Sequence, residues 1–189
     1  MKAVVIDTET TGLTRLSFAN RLNYRQWPRL VQLAWARVEE DRITERHATL
    51  IRPDGFPIPP ETTRIHGITT NQAEQTGIAI AAAFDAFEAA CEDAESLIAH
   101  NLNFDLGVLQ SEALRLDRKL KIPPRRTCTV HLGREFLIRE HGIKRGGHPS
   151  LSRLYETLFG FGFSGPHDAA NDVTACFHVY KKLTRLGFR

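Results

Sequence analysis

The sequence has few of the features that mark secreted, disulfide-rich or membrane-spanning proteins. Its three cysteines, Cys91, Cys128 and Cys176, are an odd number without a C-x-x-C pair, so neither a disulfide framework nor a cysteine zinc site is expected. Only four apolar residues, 3–6, precede the first acid, which is too short for the core of a signal peptide. The most apolar stretch, 78–84, is far shorter than the ~20 residues that span a bilayer. These absences predict a soluble chain in a reducing cytoplasm, without a membrane partner.

The chain also lacks a strong excess of charge of either sign, and it lacks several catalytic motifs. The chain has 25 Lys and Arg against 22 Asp and Glu, and the net charge of +3 permits a polyanionic partner without requiring one. No G-x-x-x-x-G-K-[ST] or G-x-S-x-G motif is present, which excludes P-loop and serine-hydrolase chemistry. The G-x-G-x-x-G run at 160–165 follows a predicted helix and precedes Pro166, whereas a dinucleotide site needs a strand before it and a helix after it.

What is present is a globular composition and a change of pattern along the chain. The 189 residues are 42% hydrophobic and 25% charged, which is enough for one domain over residues 1–189. Strands come first, and beyond Thr69 helices alternate with a strand, so we expect an α/β fold with a mixed sheet. The patterns predict strands at 3–6, 30–38, 43–51 and 96–99, a proline-rich connection at 53–60, and helices at 79–91, 104–116, 129–140, 151–159 and 169–186.

Acidic side chains recur where predicted strands end or helices begin. Asp7 and Glu9 are alternate residues of a strand, so their carboxylates should share one face and repel each other unless a cation lies between them. A hard divalent cation suits such oxygen ligands, although the pair alone could also be a polar strand end. Asp105 and Asp172 lie near helix starts, where an acid can simply complement the positive helix end. Asp168 is expected to cap the last helix.

Together these residues resemble the motifs of the DEDDh-type 3′→5′ exonucleases. This DnaQ-like family includes the proofreading subunit of the bacterial replicative polymerase, and the resemblance extends from residue 3 to about residue 183. It implies a ribonuclease-H-like fold, with a mixed five-stranded sheet flanked by helices. The resemblance rests on four segments in the family's order: Asp7-x-Glu9 with Thr10-Thr11-Gly12, Ile65-His66-Gly67-Ile68-Thr69, His100-Asn101-x-x-Phe104-Asp105, and His167-x-x-x-x-Asp172.

The resemblance also implies roles for individual residues in a site with two divalent cations, Mg²⁺ or Mn²⁺. Asp7 would contact both ions, Glu9 and Asp172 would hold the ion that binds the attacking water, and Asp105 would support the other. His167 would act as general base, because an ordinary histidine pKa of ~6.5 suits proton transfer near neutral pH. Phe104 would either stack on a base or be a core aromatic. The expected substrate contacts are Thr10, Thr11, Gly12, Leu13, His66, Asn101 and Phe104.

Basic residues are concentrated in three segments. The segment 14–30 has four arginines and three aromatics without any acid, which suits the phosphates and bases of a single strand. A solvated insertion is the alternative interpretation of that segment. The shorter runs 125–126 and 144–148 are expected to be solvated surface.

The predicted function is therefore that of a metal-dependent 3′→5′ exonuclease acting on single-stranded nucleic acid, with DNA favoured, and releasing nucleoside 5′-monophosphates. Two alternatives stay open: an exoribonuclease of the same family, and a non-catalytic module of this fold that binds nucleic acid or a polymerase. The complete set of acids argues against the module. A polymerase is a candidate partner, but no docking tail follows the last helix before Arg189, so a nuclease acting alone is expected.

Overall fold

A computed structural model of the chain describes residues 1–143 and 147–188. Its centre is a five-stranded sheet with the strand order β3-β2-β1-β4-β5. Strand β2 is antiparallel to both β1 and β3, whereas β4 is parallel to both β1 and β5, so the sheet is mixed, as the sequence predicts. The strands are β1 Lys2–Thr10, β2 Leu30–Glu39, β3 Arg42–Leu50, β4 Ser96–Ala99 and β5 Arg125–Cys128.

Helices flank this sheet in the α/β arrangement that the sequence predicts. Asp168 caps the last helix by accepting a hydrogen bond from the Ala170 N–H at 3.0 Å, the role expected for it. No helix in the described ranges is long and apolar enough to cross a membrane. The helices in those ranges are α1 Pro60–His66, α2 Thr70–Thr76, α3 Ile80–Cys91, α4 Leu102–Arg115, α5 Thr129–His141, α6 Leu151–Phe159 and α7 Ala169–Arg185.

Strand β1 is the central strand, and its side chains alternate between two apolar layers. Val4 and Ile6 pack in the cluster that contains Phe84 of α3, on one face of the sheet. Val5 packs on the other face, in the cluster that contains Val173 of α7. Because side chains on a strand alternate, the odd-numbered acids that end β1 lie on the α7 side, and the threonines between them lie on the α4 side.

Several elements differ from their predicted bounds. Strand β1 continues beyond residue 6 to Thr10, because its pairing with β2 continues through the acids to a bulge between Glu9 and Thr10. Helix α1 begins at Pro60, where a proline loses no helical hydrogen bond, so the proline-rich connection is shorter than expected.

Three elements were not predicted individually: α1, α2 and β5. The two helices have seven residues each, which is too short for a clear apolar period. The edge strand β5 has four residues, and its first two, Arg125 and Arg126, are exposed, so the basic run 125–126 does lie at the surface. Of the basic run 144–148, residues 144–146 lie outside the described residues.

Candidate active site

A cavity of about 410 Å³ opens where β1 and β4 end, between α1, α4 and α7. The carboxyl ends of these parallel strands meet at one edge of the sheet, and this edge gathers side chains that are far apart in the sequence. A larger cavity of about 540 Å³ near the end of α3 has charged walls in which Glu88 and Arg118 pair with each other. The smaller cavity is the candidate site, because the predicted residues that line it are Asp7, Glu9, Thr10, Gly12, Leu13, His66, Asn101, Phe104, His167 and Asp172.

Two predicted residues do not line the cavity. Asp105 is buried behind its wall, where it accepts a hydrogen bond of 2.8 Å from the Thr8 hydroxyl. The Thr11 N–H donates to the Arg29 carbonyl at 2.9 Å, and the Thr11 hydroxyl oxygen accepts from the Arg29 N–H at 2.9 Å. The Thr11 N–H is therefore already paired within the protein, and a substrate contact at Thr11 stays a prediction.

The turn after β1 forms one rim of the cavity. The Thr10 hydroxyl donates to the Gly12 carbonyl at 2.7 Å and ties the turn together. Gly12 has a φ of 156°, a conformation that side-chain-bearing residues rarely adopt. Leu13 follows and is 89% exposed, so its apolar side chain is held in solvent at the cavity mouth.

The four carboxyl groups lie in an environment that disfavours their charge. Burial raises the pKa of Asp7 well above its ordinary value, and the charges of Asp105, Asp172 and Glu9 raise it further. Burial and the neighbouring acids raise the pKa of Glu9 to about 8. Burial likewise raises the pKa of Asp105 to about 7 and that of Asp172 to about 6. Within residues 1–143 and 147–188, no lysine or arginine forms a salt bridge with any of the four.

His167 lies in the loop before α7, exposed and with a left-handed φ of 67°. Its backbone N–H donates to the Asp172 carboxylate at 3.0 Å, which ties the loop to the first turn of α7. Ligand atoms of Glu9, His167 and Asp172 lie within 4.8 Å of one another, close enough to hold a metal ion. The histidine ring is therefore placed either to bind an ion with these acids or to take a proton from a water beside them.

Two further histidines line the cavity, and both have a lowered pKa because they are partly buried. The pKa of His100 falls to about 4, and its ring nitrogens lie 2.9 Å from the Thr129 hydroxyl and 2.8 Å from the Pro149 carbonyl. His100 therefore holds the loops around the site together. In His66, Nδ1 accepts from the Ile68 N–H at 3.1 Å, whereas the buried Nε2 has no hydrogen bond to the described residues. Burial lowers the pKa of His66, and the nearby Thr10 backbone raises it by a smaller amount.

The first turn of α4 forms the opposite wall. Asn101 begins this helix with a left-handed φ of 71°, which asparagine tolerates better than most residues. Phe104 lines the cavity and also packs against the buried Trp27, with ring centroids 6.4 Å apart. Phe104 is therefore partly a core aromatic, and because it also lines the cavity, stacking on a base stays a prediction.

Four cavity-lining residues were not among the expected catalytic residues or substrate contacts. Ile65 and His100 were named only as parts of the family motifs, Thr8 was overlooked between the two acids, and Thr62 belongs to α1, which was not predicted. The signal for α1 was present, since Pro60 stands at the first helical position and Gly67 directly after the last one.

Comparisons of sequence show the family of the chain. The RNase_T exonuclease family model matches residues 4–180. A putative bifunctional exonuclease/endonuclease protein of Mycobacterium tuberculosis (strain CDC 1551 / Oshkosh) is 30% identical over 183 residues, which cover 95% of this chain and 26% of that protein. A PolC-type DNA polymerase III of Streptococcus pyogenes serotype M2 is 32% identical over 114 residues, which cover 60% of this chain and 7% of the polymerase. The chain thus spans only a small part of these curated relatives.

Solved structures show the same fold. A zinc-bound complex of E. coli ExoI with single-stranded DNA has a TM-score of 0.76 at 21% identity, over 98% of this chain and 40% of that one. Exonuclease X in complex with 5′ overhanging duplex DNA has a TM-score of 0.64 at 24% identity, over 99% of this chain and 94% of that one. The predicted ribonuclease-H-like fold and the predicted DnaQ-like relationship are confirmed. Since the family match extends over nearly the whole chain and the fold agrees with it, the chain belongs to the RNase_T exonuclease family.

Proposed function

We propose that the chain is a metal-dependent exonuclease that removes nucleotides from the 3′ end of single-stranded nucleic acid, with DNA favoured, as nucleoside 5′-monophosphates. The observation that carries this proposal is the cavity that three carboxyl groups with raised pKa values line beside a histidine, with a fourth, Asp105, buried behind its wall. The solved structures similar to this chain support a nucleic-acid substrate, since one is bound to single-stranded DNA and another to duplex DNA with a 5′ overhang.

The donor set fits two divalent cations, Mg²⁺ or Mn²⁺. Carboxylate oxygens are the ligands these hard ions prefer, and among the described residues no lysine or arginine forms a salt bridge with these acids. In this proposal Asp7, Glu9 and Asp172 would hold the ions at the cavity, Asp7 being shared between the two, and Asp105 would support one of them from behind the wall. When bound, such ions lower the pKa of a coordinated water and stabilise the charge on the attacking and leaving oxygens.

The remaining side chains orient the substrate and move a proton. In hydrolysis the oxygen of a water bonds to the phosphorus of the terminal nucleotide, and the bond from that phosphorus to O3′ of the preceding nucleotide breaks. His167 accepts the proton that the water loses, and O3′ takes up a proton from solvent to become the 3′-hydroxyl of the shortened strand. The hydrogen bond from the His167 N–H to Asp172 keeps this histidine at the cavity edge. Leu13 and Phe104 would contact the terminal base, and the buried Nε2 of His66 is available for a hydrogen bond to the nucleotide.

The proposal extends to the setting of the protein. We propose that residues 1–189 form a single exonuclease domain, since the family match covers 4–180. Its three free thiols suit the reducing cytoplasm. A single-stranded 3′ end is the proposed partner, and the similarity to PolC-type polymerases makes a polymerase a second partner to test.

The proposal is tested with matched DNA and RNA oligonucleotides that carry a fluorophore at either end. With Mg²⁺ or Mn²⁺, we expect a 5′-labelled strand to shorten stepwise and a 3′-labelled strand to release labelled mononucleotide at once, and we expect EDTA to stop both. Faster digestion of RNA would support the exoribonuclease alternative. Binding without cleavage would support the non-catalytic module, and EDTA-resistant cleavage or release from the 5′ end would contradict the proposal.

A further inference from the structure

The segment that follows the cavity rim forms a loop along helix α4, and we call residues 13–26 the rim loop. Its two ends are closed by the paired hydrogen bonds between Thr11 and Arg29. One end begins at Leu13 on the cavity rim, and the far part reaches Asp117, beyond the end of α4, through an ion pair of 3.3 Å with Arg21. Helix α4 has 14 residues. At 1.5 Å per residue, the rim loop therefore leads about 21 Å away from the cavity.

The rim loop is anchored to α4 instead of standing free in solvent. Trp27, directly after it, is buried, and its ring packs against α4 at Gly107, where any side chain would collide with the ring. One guanidinium nitrogen of Arg115 donates to the carbonyls of Tyr24 and Trp27, at 2.9 Å each. These contacts hold the C-terminal part of the loop against the helix.

Side-chain hydrogen bonds within the loop define its tip. The side chains of Asn20 and Asn23 accept hydrogen bonds from the loop backbone. The Asn20 N–H donates to Asn23 Oδ1 at 2.9 Å, and the Leu22 N–H donates to Asn20 Oδ1 at 2.8 Å. The Asn23 amide also donates to the Phe18 carbonyl at 3.0 Å. Because the backbone is held in this way, the positions of the neighbouring exposed side chains are set by the loop itself.

The four arginines of the basic segment 14–30 fall into two groups. Arg29 pairs at 2.8 Å with the buried Glu112, which Arg115 also contacts at 3.2 Å, so Arg29 is part of the anchor. The other three, Arg15, Arg21 and Arg25, are exposed. Among these three, only Arg21 forms a salt bridge within the described residues. The side chains of Arg21 and its partner Asp117 are both more than three-quarters exposed, so the pair is weak.

Large apolar side chains stand in solvent between these arginines. Phe18 is 66% exposed and Leu22 is 93% exposed, in addition to Leu13 at the rim. Apolar residues that an anchored backbone holds in water indicate a contact surface. Arg25 also donates a hydrogen bond of 3.2 Å to the Tyr24 hydroxyl, but all three arginines remain exposed. Aromatic and apolar faces among exposed cations match one class of partner, a single-stranded nucleic acid, because bases stack on the former and phosphates bind the latter.

We propose that the rim loop binds the single strand on the 5′ side of the nucleotide that lies in the cavity. Phe18 and Leu22 contact bases, and Arg15, Arg21 and Arg25 contact phosphates. This inference rests on the proposed function for its direction, since the cavity is taken to hold the 3′-terminal nucleotide. It gives the enzyme a preference for long strands over substrates that fill the cavity alone.

The test compares two substrates and three variants. The substrates are a long single-stranded DNA and the p-nitrophenyl ester of thymidine 5′-monophosphate, which reaches only the cavity. The first variant is Phe18→Ala and the second combines Arg15→Gln, Arg21→Gln and Arg25→Gln. The control combines Arg42→Gln, Arg46→Gln and Arg134→Gln, which removes the same charge from exposed positions on β3 and α5. Melting temperatures establish that all variants fold.

We expect the ratio of kcat/KM for the long strand to kcat/KM for the ester to fall about tenfold in Phe18→Ala, as loss of one base stack predicts. The triple rim-loop variant should show a similar fall and a salt dependence of log Kd that is shallower by about 2, since each phosphate contact on a single strand contributes about 0.7. The control variant should keep both values. An unchanged ratio in both rim-loop variants, or an equal change in the control, would overturn the inference.

Failure of the proposed function gives a different result. If the wild type hydrolyses neither substrate, the affinity for the long strand is measured by fluorescence anisotropy in EDTA. Weaker binding by the rim-loop variants alone would then support the rim-loop surface while contradicting the nuclease. Equal binding by all variants would contradict the rim-loop surface.

Discussion

The two ends of strand β1 place acidic side chains in opposite electrostatic environments. At the N-terminal end, Asp93 lies 2.6 Å from the Lys2 ammonium and 2.8 Å from the Arg37 guanidinium, and these partners lower the pKa of Asp93 to about 2. At the C-terminal end, burial and mutual repulsion raise the pKa values of a cluster without lysine or arginine partners in the described residues. This acidic cluster consists of Asp7, Glu9, Asp105 and Asp172.

The difference separates acids that stabilise the fold from acids that oppose it. A carboxylate whose pKa is lowered by a partner favours the folded state near neutral pH, whereas one whose pKa is raised disfavours it. Packing alone gives no reason to gather four such groups, and strongly perturbed pKa values are typical of functional sites. The proposed function accounts for the acidic cluster, because a bound cation would supply the charge that Lys2 and Arg37 supply at the other end.

The largest effect is expected when one acid is removed from the unpaired end. Asp7→Asn keeps the side-chain volume but removes the charge that is placed between the other acids. Residues that act as one catalytic unit depend on each other, so the loss of a single member removes most of the effect of the whole unit. We therefore expect activity to fall by at least about four orders of magnitude. The melting temperature in EDTA should stay equal or rise, since a repelling charge is lost. Cleavage of labelled single strands and thermal melting measure both quantities, and a variant that still cleaves would disprove the assignment of Asp7.

The histidine at the same end is expected to have a smaller effect. His167→Ala removes the proposed base but none of the four carboxylates, so turnover should fall by about 10²–10⁴-fold. The affinity for Mn²⁺, measured by isothermal titration calorimetry, should change little. If the Mn²⁺ affinity falls together with turnover, His167 is a metal ligand alongside Glu9 and Asp172, whose ligand atoms lie within 4.8 Å of it.

Part of the acidic cluster was predictable from local rules, and the grouping of all four acids from the resemblance to the family. Strand alternation brings Asp7 and Glu9 to one face, and the parallel strands β1 and β4 end at one edge, so helices that begin after that edge deliver further acids to it. The hydrogen bond from Thr8 to Asp105 was not predictable, because it joins residues that are 97 positions apart. The long-range grouping of Asp7 with Asp105 and Asp172 was implied by the family resemblance, whereas no motif predicts the individual hydrogen-bond partner of Thr8.

The basic segment shows the opposite case, in which composition is clear and the roles are not. Nothing in the sequence distinguishes Arg29 and Trp27, which anchor the segment to α4, from Arg25, which is exposed. The distinction depends on Glu112, a buried acid on α4 that no local pattern connects to this segment. Both earlier interpretations of the segment were too uniform, since part of it packs against the core and part of it faces solvent.

A third test of the difference between the two ends of β1 is the pH dependence of thermal stability, measured with and without metal. The folded pKa values of Glu9, Asp105 and Asp172 are about 8, 7 and 6, above the ordinary values near 4. The stability linked to these groups is fully present below the unfolded pKa and is lost as the pH rises through the folded values. In EDTA, the melting temperature should therefore fall between about pH 5 and about pH 8.5. Each kcal/mol of stability lost lowers the melting temperature by about 2–4 °C for a chain of this size.

Metal should reverse this trend, because divalent ions bind the deprotonated carboxylates and their affinity rises with pH. With saturating Mg²⁺, the fall in melting temperature should shrink or disappear. Glu9→Gln should flatten the EDTA curve, since one of the groups that releases a proton in this range is gone. Asp93→Asn at the other end of β1 is the matched control. The pKa of Asp93 is lowered, so its contribution is lost only as the pH falls toward about 2, and its removal should shift the curve without changing its slope. If Asp93→Asn changed the slope, or Glu9→Gln left it as steep as in the wild type, the two ends of β1 would not differ in the way that their geometry indicates.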